Sequence, residues 1–258
     1  MSEAIEMRIE GDAGWPTLIY LPGVHGDWTM IGNLSRCLRG TVRLVVITYP
    51  RTLTWSLAEY GEAVESALEL RNIHRGWLLA ESFSSQVAWT MLDRAKFGVQ
   101  GIILAGGFVR HPMPWIVRPA GIFLRRSLVR CIIPFYRRYV MWFRQKDRGN
   151  PKTLEDLDDC IARRTNLDLQ AMRHRLDLIA GNNPCAIARR ATVPVYGLAG
   201  WMDPIVPWPF VRRWLRRNCP ALRDYQIIPA ADHNVLTMAA RPSADLILRW
   251  MQAHADGL

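Results

Sequence analysis

The chain has 258 residues, half of them hydrophobic, and its 33 lysines and arginines outnumber 23 aspartates and glutamates for a formal net charge of +10. That length and apolar share suit one domain with a sizeable core rather than a disordered or disulfide-framed chain. The acidic N-terminus reads as no secretory signal, and no run reaches the ~18–20 uninterrupted apolar residues that a bilayer span requires, so a cytoplasmic location is expected. Cys37, Cys131, Cys160, Cys185 and Cys219 are scattered, odd in number and without metal spacing, and are expected to be reduced, mostly buried thiols.

In chain order, residues 4–10 read as an opening strand, and residues 17–21 as a buried one that runs into the loop Leu21-Pro22-Gly23-Val24-His25-Gly26-Asp27. A helix near 29–38 and a strand at 42–48 follow. Across 57–70, Leu57, Tyr60, Ala63, Val64, Ala67 and Leu68 repeat at helical spacing. Residues 76–92 pass from an apolar strand through Ala80-Glu81-Ser82-Phe83-Ser84 directly into a helical apolar period. A strand at 101–104 ends in Ala105-Gly106-Gly107. After an insert come a strand at 193, a helix around 209–217, a strand near 225–228 and a last helix at 243–254. Alternating strands and helices with strongly apolar strands predict a mostly parallel sheet of about eight strands, covered by helices on both faces.

Ser82 sits where a strand turns sharply into a helix, the layout of a nucleophile elbow. Such a turn lifts the hydroxyl clear of both elements. The helix N-terminus beneath it favours negative charge on an attacked oxygen. Glycine usually occupies the positions two before and two after the serine; here they are Ala80 and Ser84, a relaxed small-x-Ser-x-small form. A helix-capping serine is the bland alternative. Downstream, the strand at 193 ends before Asp203 in a proline-rich turn, and His233 follows thirty positions later. The order serine, acid, histidine is that of the α/β-hydrolase triad. A serine hydroxyl needs a histidine to take its proton, and the histidine needs a carboxylate to fix its tautomer. Asp232 is the rival acid, disfavoured because it adjoins His233. Ser84 and Ser85 are rival nucleophiles that read as structural.

These motifs resemble the α/β-hydrolase superfamily, more narrowly bacterial members that pair an oxyanion segment like 21–27 with an elbow like Ala-Glu-Ser-Phe-Ser. The resemblance covers nearly the whole chain apart from the insert. It implies Ser82 as nucleophile, Asp203 as acid, His233 as base, and the backbone N–H groups of Val24 and Phe83 as the oxyanion hole. The chain departs from the family pattern at the two elbow glycines and at positions 22 and 23, where Pro-Gly stands for His-Gly. The expected organisation is a hydrolase core of 1–107 and 194–258 with a basic, mostly helical cap at 108–193.

Within 108–150 ten arginines and lysines face the single acid Asp147, a local balance of +9. On a helical wheel Arg126, Arg130, Arg137 and Arg144 share a narrow sector opposite Leu124, Leu128, Ile132, Phe135, Tyr139 and Trp142, with Pro134 kinking the pattern or starting a second helix. Three readings stand. The arginines form a solvated face paired with Glu155, Asp156, Asp158 and Asp159, or they attract an anionic or carrier-bound acyl substrate. In the third, the segment lies on anionic lipid with Trp115, Trp142 and Phe143 as anchors.

The surplus charge is thirty arginines against three lysines without a nucleic-acid-binding signature, so no nucleic-acid partner is expected. His111, His174 and His254 have no carboxylate or cysteine at ligand spacing, so neither metal nor cofactor is expected. His25 and Asp27 either touch substrate or hydrogen-bond their own loop. Trp89, Trp201, Trp208, Trp214 and Trp250 are expected in the core first and as lining of an acyl pocket second. The reaction expected is hydrolysis of a carboxylic ester or thioester with a hydrophobic acyl group. A non-catalytic binding protein of the same fold and a peripheral membrane protein remain as alternatives, and the oligomeric state is left open.

Overall fold

The computed structural model describes residues 4–122, 138, 164–229 and 231–254. Seven strands form one sheet among the described residues, against an expected count of about eight: β1 (Glu6–Glu10), β2 (Thr17–Leu21), β3 (Arg43–Thr48), β4 (Arg75–Glu81), β5 (Gly98–Ala105), β6 (Val195–Gly200) and β7 (Leu222–Ile228). Their order is β1-β3-β2-β4-β5-β6-β7. Only β1 runs antiparallel to its neighbour, and every other pairing is parallel.

Successive strand residues point to opposite faces, so the continuous apolar runs supply two cores. Ile19, Leu21, Val45, Ile47, Leu78, Ala80, Ile102 and Leu104 face one way. They meet α2 (Leu57–Glu69), α3 (Ser84–Arg94) and α7 (Trp208–Asn218) through Tyr60, Val64, Leu68, Val87, Trp89, Val211 and Leu215. Leu18, Tyr20, Leu44, Val46, Trp77, Leu79 and Ile103 face the other way. They meet α1 (Gly32–Leu38) and the final helix α9 (Ala240–Gln252), which contribute Leu34, Leu38, Ala244, Ile247 and Trp250. The helix expected near 29–38 begins as a 3-10 turn, Trp28–Met30, capped by the Asp27 carboxylate on Thr29 N–H at 3.0 Å. α2 opens on a capping box in which Ser56 and Glu59 satisfy each other's backbone N–H.

Among the described residues α4 (Pro114–Ile122), α5 (Asn166–Gly181) and α6 (Cys185–Arg190) lie between β5 and β6; α8 (Val235–Met238) is a short turn after His233. The predicted amphipathic wheel of Arg126, Arg130, Arg137 and Arg144, its apolar side from Leu124 to Trp142, and the acidic run 155–159 lie outside the described residues, as do Cys131 and Cys160. Cys219 is buried, while Cys37 and Cys185 are half-buried. Trp89 and Trp250 are core residues, and Trp208 and Trp214 pack partly buried against the core. Trp201 corrects the expectation of a core position: it is 57% exposed, because it follows the end of β6 in the turn that carries Asp203, where its ring meets Trp208 with centroids 5.4 Å apart. Among the described residues no helix is long and apolar enough to cross a membrane.

The chain leaves β2 to pair β3 on one side and returns to place β4 on the other. This reversal opens a crevice at the C-terminal ends of β2 and β4, the place where open α/β sheets bind ligands.

Candidate active site

Ser82 caps β4 with φ +48°, a left-handed conformation that costs a non-glycine residue about 1–3 kcal/mol unless its surroundings enforce it. They do so by holding both of its backbone polar groups. Ser82 N–H donates to the Ala105 carbonyl at 3.0 Å, and the Ser82 carbonyl accepts from the Ser85 hydroxyl at 2.7 Å. Ala80 and Ser84 are fully buried beside the turn, which explains why both positions are small.

Asp203, in the turn after β6, accepts from the N–H groups of Ile205 at 2.9 Å and Val206 at 2.8 Å. Those two bonds aim its other oxygen at His233 Nδ1, 2.8 Å away. His233 Nε2 lies 2.9 Å from Ser82 Oγ. The three side chains expected from the sequence are therefore joined in one hydrogen-bonded line. Burial alone lowers the His233 pKa, but the hydrogen bond and charge of Asp203, with smaller contributions from Glu81 and Asp232, outweigh it and leave it raised above the ordinary value of 6.5. Gly106, at φ +56°, forms the floor, and a Cβ there would meet the His233 ring at 3.2 Å.

The rivals are engaged elsewhere. Asp232 accepts from Asn234 N–H at 2.8 Å. Ser84 donates to the Pro22 carbonyl and shares a 2.7 Å hydrogen bond with Tyr49 Oη, while Ser85 also accepts from Phe108 N–H at 3.2 Å. Asp27 holds its own loop and pairs with Arg164 at 2.6 Å. His111 accepts from Met113 N–H at 3.1 Å and is lowered in pKa by burial. His174 contacts the Trp55 carbonyl at 2.8 Å and His254 the Tyr196 hydroxyl at 2.8 Å. Among the described residues no group of three His, Cys, Asp or Glu side chains is placed to hold a metal ion.

Val24 lies in the loop after β2, which is tied to the elbow through Gly23 N–H on Glu81 and the Ser84 hydroxyl on the Pro22 carbonyl, and Phe83 immediately follows Ser82. Among the described residues neither backbone N–H makes a hydrogen bond within the chain. Beneath the loop lies a cluster that sequence reasoning missed. The buried Glu81 carboxylate accepts from the Tyr20 hydroxyl and from Gly23 N–H at 3.3 Å, and lies 3.7 Å from His25 Nε2. Burial lowers the His25 pKa despite the nearby Glu81 and Asp27 charges; burial and Glu81 together raise Tyr20 well above the usual phenol range. A glutamate at the end of an otherwise apolar strand was the available signal. A cavity of about 460 Å³ adjoins the same loop, lined by residues including His25, Asp27, Arg51, Arg164 and Asp168. Its charges are largely paired, Arg51 with Asp168 and Arg164 with Asp27.

A serine hydrogen-bonded to a histidine that is itself oriented by a fixed carboxylate is able to give up its proton as it attacks a carbonyl. Backbone N–H groups without a partner among the described residues, such as those of Val24 and Phe83, are the kind of donor that suits the negative charge of such a reaction.

No family model matches the chain. A curated relative, 2-succinyl-6-hydroxy-2,4-cyclohexadiene-1-carboxylate synthase of Klebsiella pneumoniae, is 26% identical over 115 residues, which are 40% of this chain and 41% of that protein's length. Among solved structures, the enol-lactonase of Burkholderia xenovorans superposes with a TM-score of 0.76 at 13% identity, over 96% of both chains. A thermophilic esterase of Thermogutta terrifontis gives 0.73 at 18% identity, over 96% of this chain and 93% of its own. The hydrolase MGS-M2 from a deep-sea metagenome also superposes at 0.76, with 13% identity. The chain has the α/β-hydrolase fold.

Proposed function

We propose that this α/β-hydrolase fold carries a serine hydrolase that cleaves a carboxylic ester or thioester with a hydrophobic acyl group. The observation that carries the reading is the line Ser82 Oγ, His233 Nε2, His233 Nδ1, Asp203 Oδ2, with spacings of 2.9 and 2.8 Å. Ser82 attacks the carbonyl carbon as His233 takes its proton, and the imidazolium is stabilised by Asp203. The tetrahedral oxyanion rests on the N–H groups of Val24 and Phe83. His233 then returns the proton to the leaving alkoxide or thiolate, and water, deprotonated by the same histidine, releases the acid from the acyl enzyme.

Support for an apolar acyl group comes from the acid loop, where Trp201, Met202 and Ile205 are exposed. The esterase and enol-lactonase among the structural neighbours favour acyl-oxygen chemistry for the substrate panel. On this reading residues 1–107 and 194–258 are the catalytic core and 108–193 the cap, whose positive charge draws anionic or carrier-bound acyl substrates in the cytoplasm.

The test is labelling of the purified protein with a fluorophosphonate, followed by peptide mass spectrometry. Modification of Ser82 that disappears in His233→Ala supports the reading, and a panel of esters, lactones and acyl thioesters then ranks substrates. A folded protein that resists labelling and hydrolyses none of the panel overturns it.

A further inference from the structure

Every carbonyl oxygen from Pro22 to Gly26 accepts a hydrogen bond. Pro22 accepts from the Ser84 hydroxyl, Gly23 from Gly26 N–H at 3.0 Å and Gly26 from Tyr49 N–H at 2.8 Å. Between them, Val24 accepts from Arg175 Nη1 at 2.9 Å and His25 from Arg164 Nη1 at 3.2 Å. The Gly26-to-Gly23 bond closes a β-turn whose central peptide joins Val24 to His25. Types I and II of such a turn differ by a flip of that peptide, and type II places the third residue at positive φ. His25 is not among the positive-φ residues, while glycine occupies the fourth position at φ +81°. The turn is therefore of the type I kind, and the carbonyl that would swing in a flip is the one Arg175 holds.

Arg175 belongs to α5, 151 residues beyond Val24. It is 2% exposed. Among the described residues no carboxylate accepts from it; its donors go instead to the Val24 and Pro50 carbonyls, each at 2.9 Å, and to the Tyr60 hydroxyl at 3.3 Å. The guanidinium lies 5.6 and 6.0 Å from the Tyr49 and Tyr60 ring centres. A Cβ on Gly26 would sit 2.3 Å from Nη1, so the turn rests directly on the cation. A buried arginine is tolerated only when its donors are satisfied, and its rigid planar fork fixes the groups that satisfy them.

We propose that Arg175 is a positioning residue: it holds the Val24 carbonyl and backs Gly26, whose N–H in turn holds the carbonyl of the Gly23–Val24 peptide, and so it keeps the N–H of that peptide, on Val24, aimed at the oxygen where negative charge develops, with Arg164 in a lesser supporting role. The inference rests on the function proposed above. Preorganised donors act through their aim, and a misplacement of about 1 Å costs roughly a hundredfold in rate. Because the oxyanion forms only after attack, the loss falls on kcat rather than on KM.

Arg175→Lys, which keeps the charge but replaces the planar fork by a single ammonium group, tests this. Counted per site titrated with fluorophosphonate, kcat on an aryl ester should fall about ten- to a hundredfold with KM within about twofold. Affinity for a trifluoromethyl ketone, whose adduct presents the same oxyanion, should fall in parallel. Hydrogen exchange over residues 22–28 should quicken about tenfold while that of α3 stays unchanged. A merely structural role would lower the titre of active sites and the melting temperature but leave kcat per site intact. That result, or unchanged exchange over 22–28 in folded Arg175→Lys, overturns the proposal. If Arg175→Lys does not fold, Arg164→Gln takes its place: it must lower kcat without moving KM, and an unchanged kcat overturns the shared account of the loop. Failure of the hydrolase reading looks different, since the wild-type protein would then escape labelling, while the exchange comparison would still decide whether Arg175 orders the turn.

Discussion

Ser82 hangs from the sheet by main-chain bonds, its N–H on the Ala105 carbonyl and the neighbouring Gly106 N–H on Leu198 at 2.7 Å, whereas the 22–26 loop opposite, beyond its main-chain bonds at Gly23 and Gly26, is fixed by the side chains of Ser84, Arg175 and Arg164. On the serine side, any apolar residues that preserve the parallel ladder preserve the geometry, because every strand residue brings the same donor and acceptor. On the loop side, the geometry depends on particular residues contributed from 62 to 151 positions away. The first region should therefore respond sharply only to changes in the reacting groups themselves, and the second to changes in groups that never touch substrate.

The largest effects test the serine side. Ser82→Ala should cut turnover by roughly four to six orders of magnitude with the melting temperature nearly unchanged. Undiminished turnover in that variant would remove the nucleophile. Asp203→Asn should lower kcat by about ten-thousandfold, since it leaves His233 without the carboxylate that sets its tautomer. The pH profile gives the sign: protonated His233 accepts no proton, so kcat/KM rises with pH. With the His233 pKa raised by Asp203, the rise is centred above the ordinary histidine value of 6.5. In Asp203→Asn the residual activity should have its acid limb at lower pH, and a limb that stays in place would show that another group governs the titration.

Two glycines offer a matched comparison at smaller scale. Gly106→Ala forces a Cβ to 3.2 Å from the His233 ring at φ +56°, and Gly26→Ala forces one to 2.3 Å from Arg175 at φ +81°. Each strained position should lower unfolding free energy by about 1–3 kcal/mol in a denaturant titration. Gly106→Ala should also lower the rate of fluorophosphonate labelling, because it displaces the histidine. If both variants label as fast as wild type, neither contact supports the chemistry.

The serine side was readable in the sequence because its signals are local. An apolar strand, a small-residue turn and a helical period adjoin Ser82, and Asp203 and His233 each follow a strand end. Adjacency to His233 disfavours Asp232 in the sequence, and in the structure Asp203 pairs with His233 while Asp232 accepts from Asn234 N–H in its own turn. The loop side was legible only in part. Gly26 at the end of a Gly-Val-His-Gly turn is a local signal, but nothing near Arg175 or Arg164 in the chain marks a partner at Val24 or His25. Arg175 is one of thirty arginines, and the charge count drew attention to 108–150 instead. Trp201 differs from its expected core position for a related reason: a tryptophan after a buried strand reads as core, yet it lies in the turn that carries Asp203 and is exposed.

Ser84 joins the two regions, and the smallest prediction concerns it. By position it is one of the small residues of the elbow, where glycine is usual, and by contact it serves the loop, donating to the Pro22 carbonyl and bonding Tyr49 Oη at 2.7 Å. The two roles separate on substitution. If smallness alone matters, Ser84→Gly should be neutral or improve turnover, since it restores the usual elbow residue. If the hydroxyl ties the loop to the elbow, Ser84→Ala and Ser84→Gly should both cost about 1–2 kcal/mol of stability, because the buried Pro22 carbonyl loses its donor and the Tyr49 hydroxyl its partner. Both should then lower kcat per titrated site by about three- to tenfold, a weaker version of the Arg175 effect because only the first carbonyl of the loop is released. A Ser84→Gly protein faster than wild type would show that the serine there is a relaxed elbow residue and that the loop is held without it.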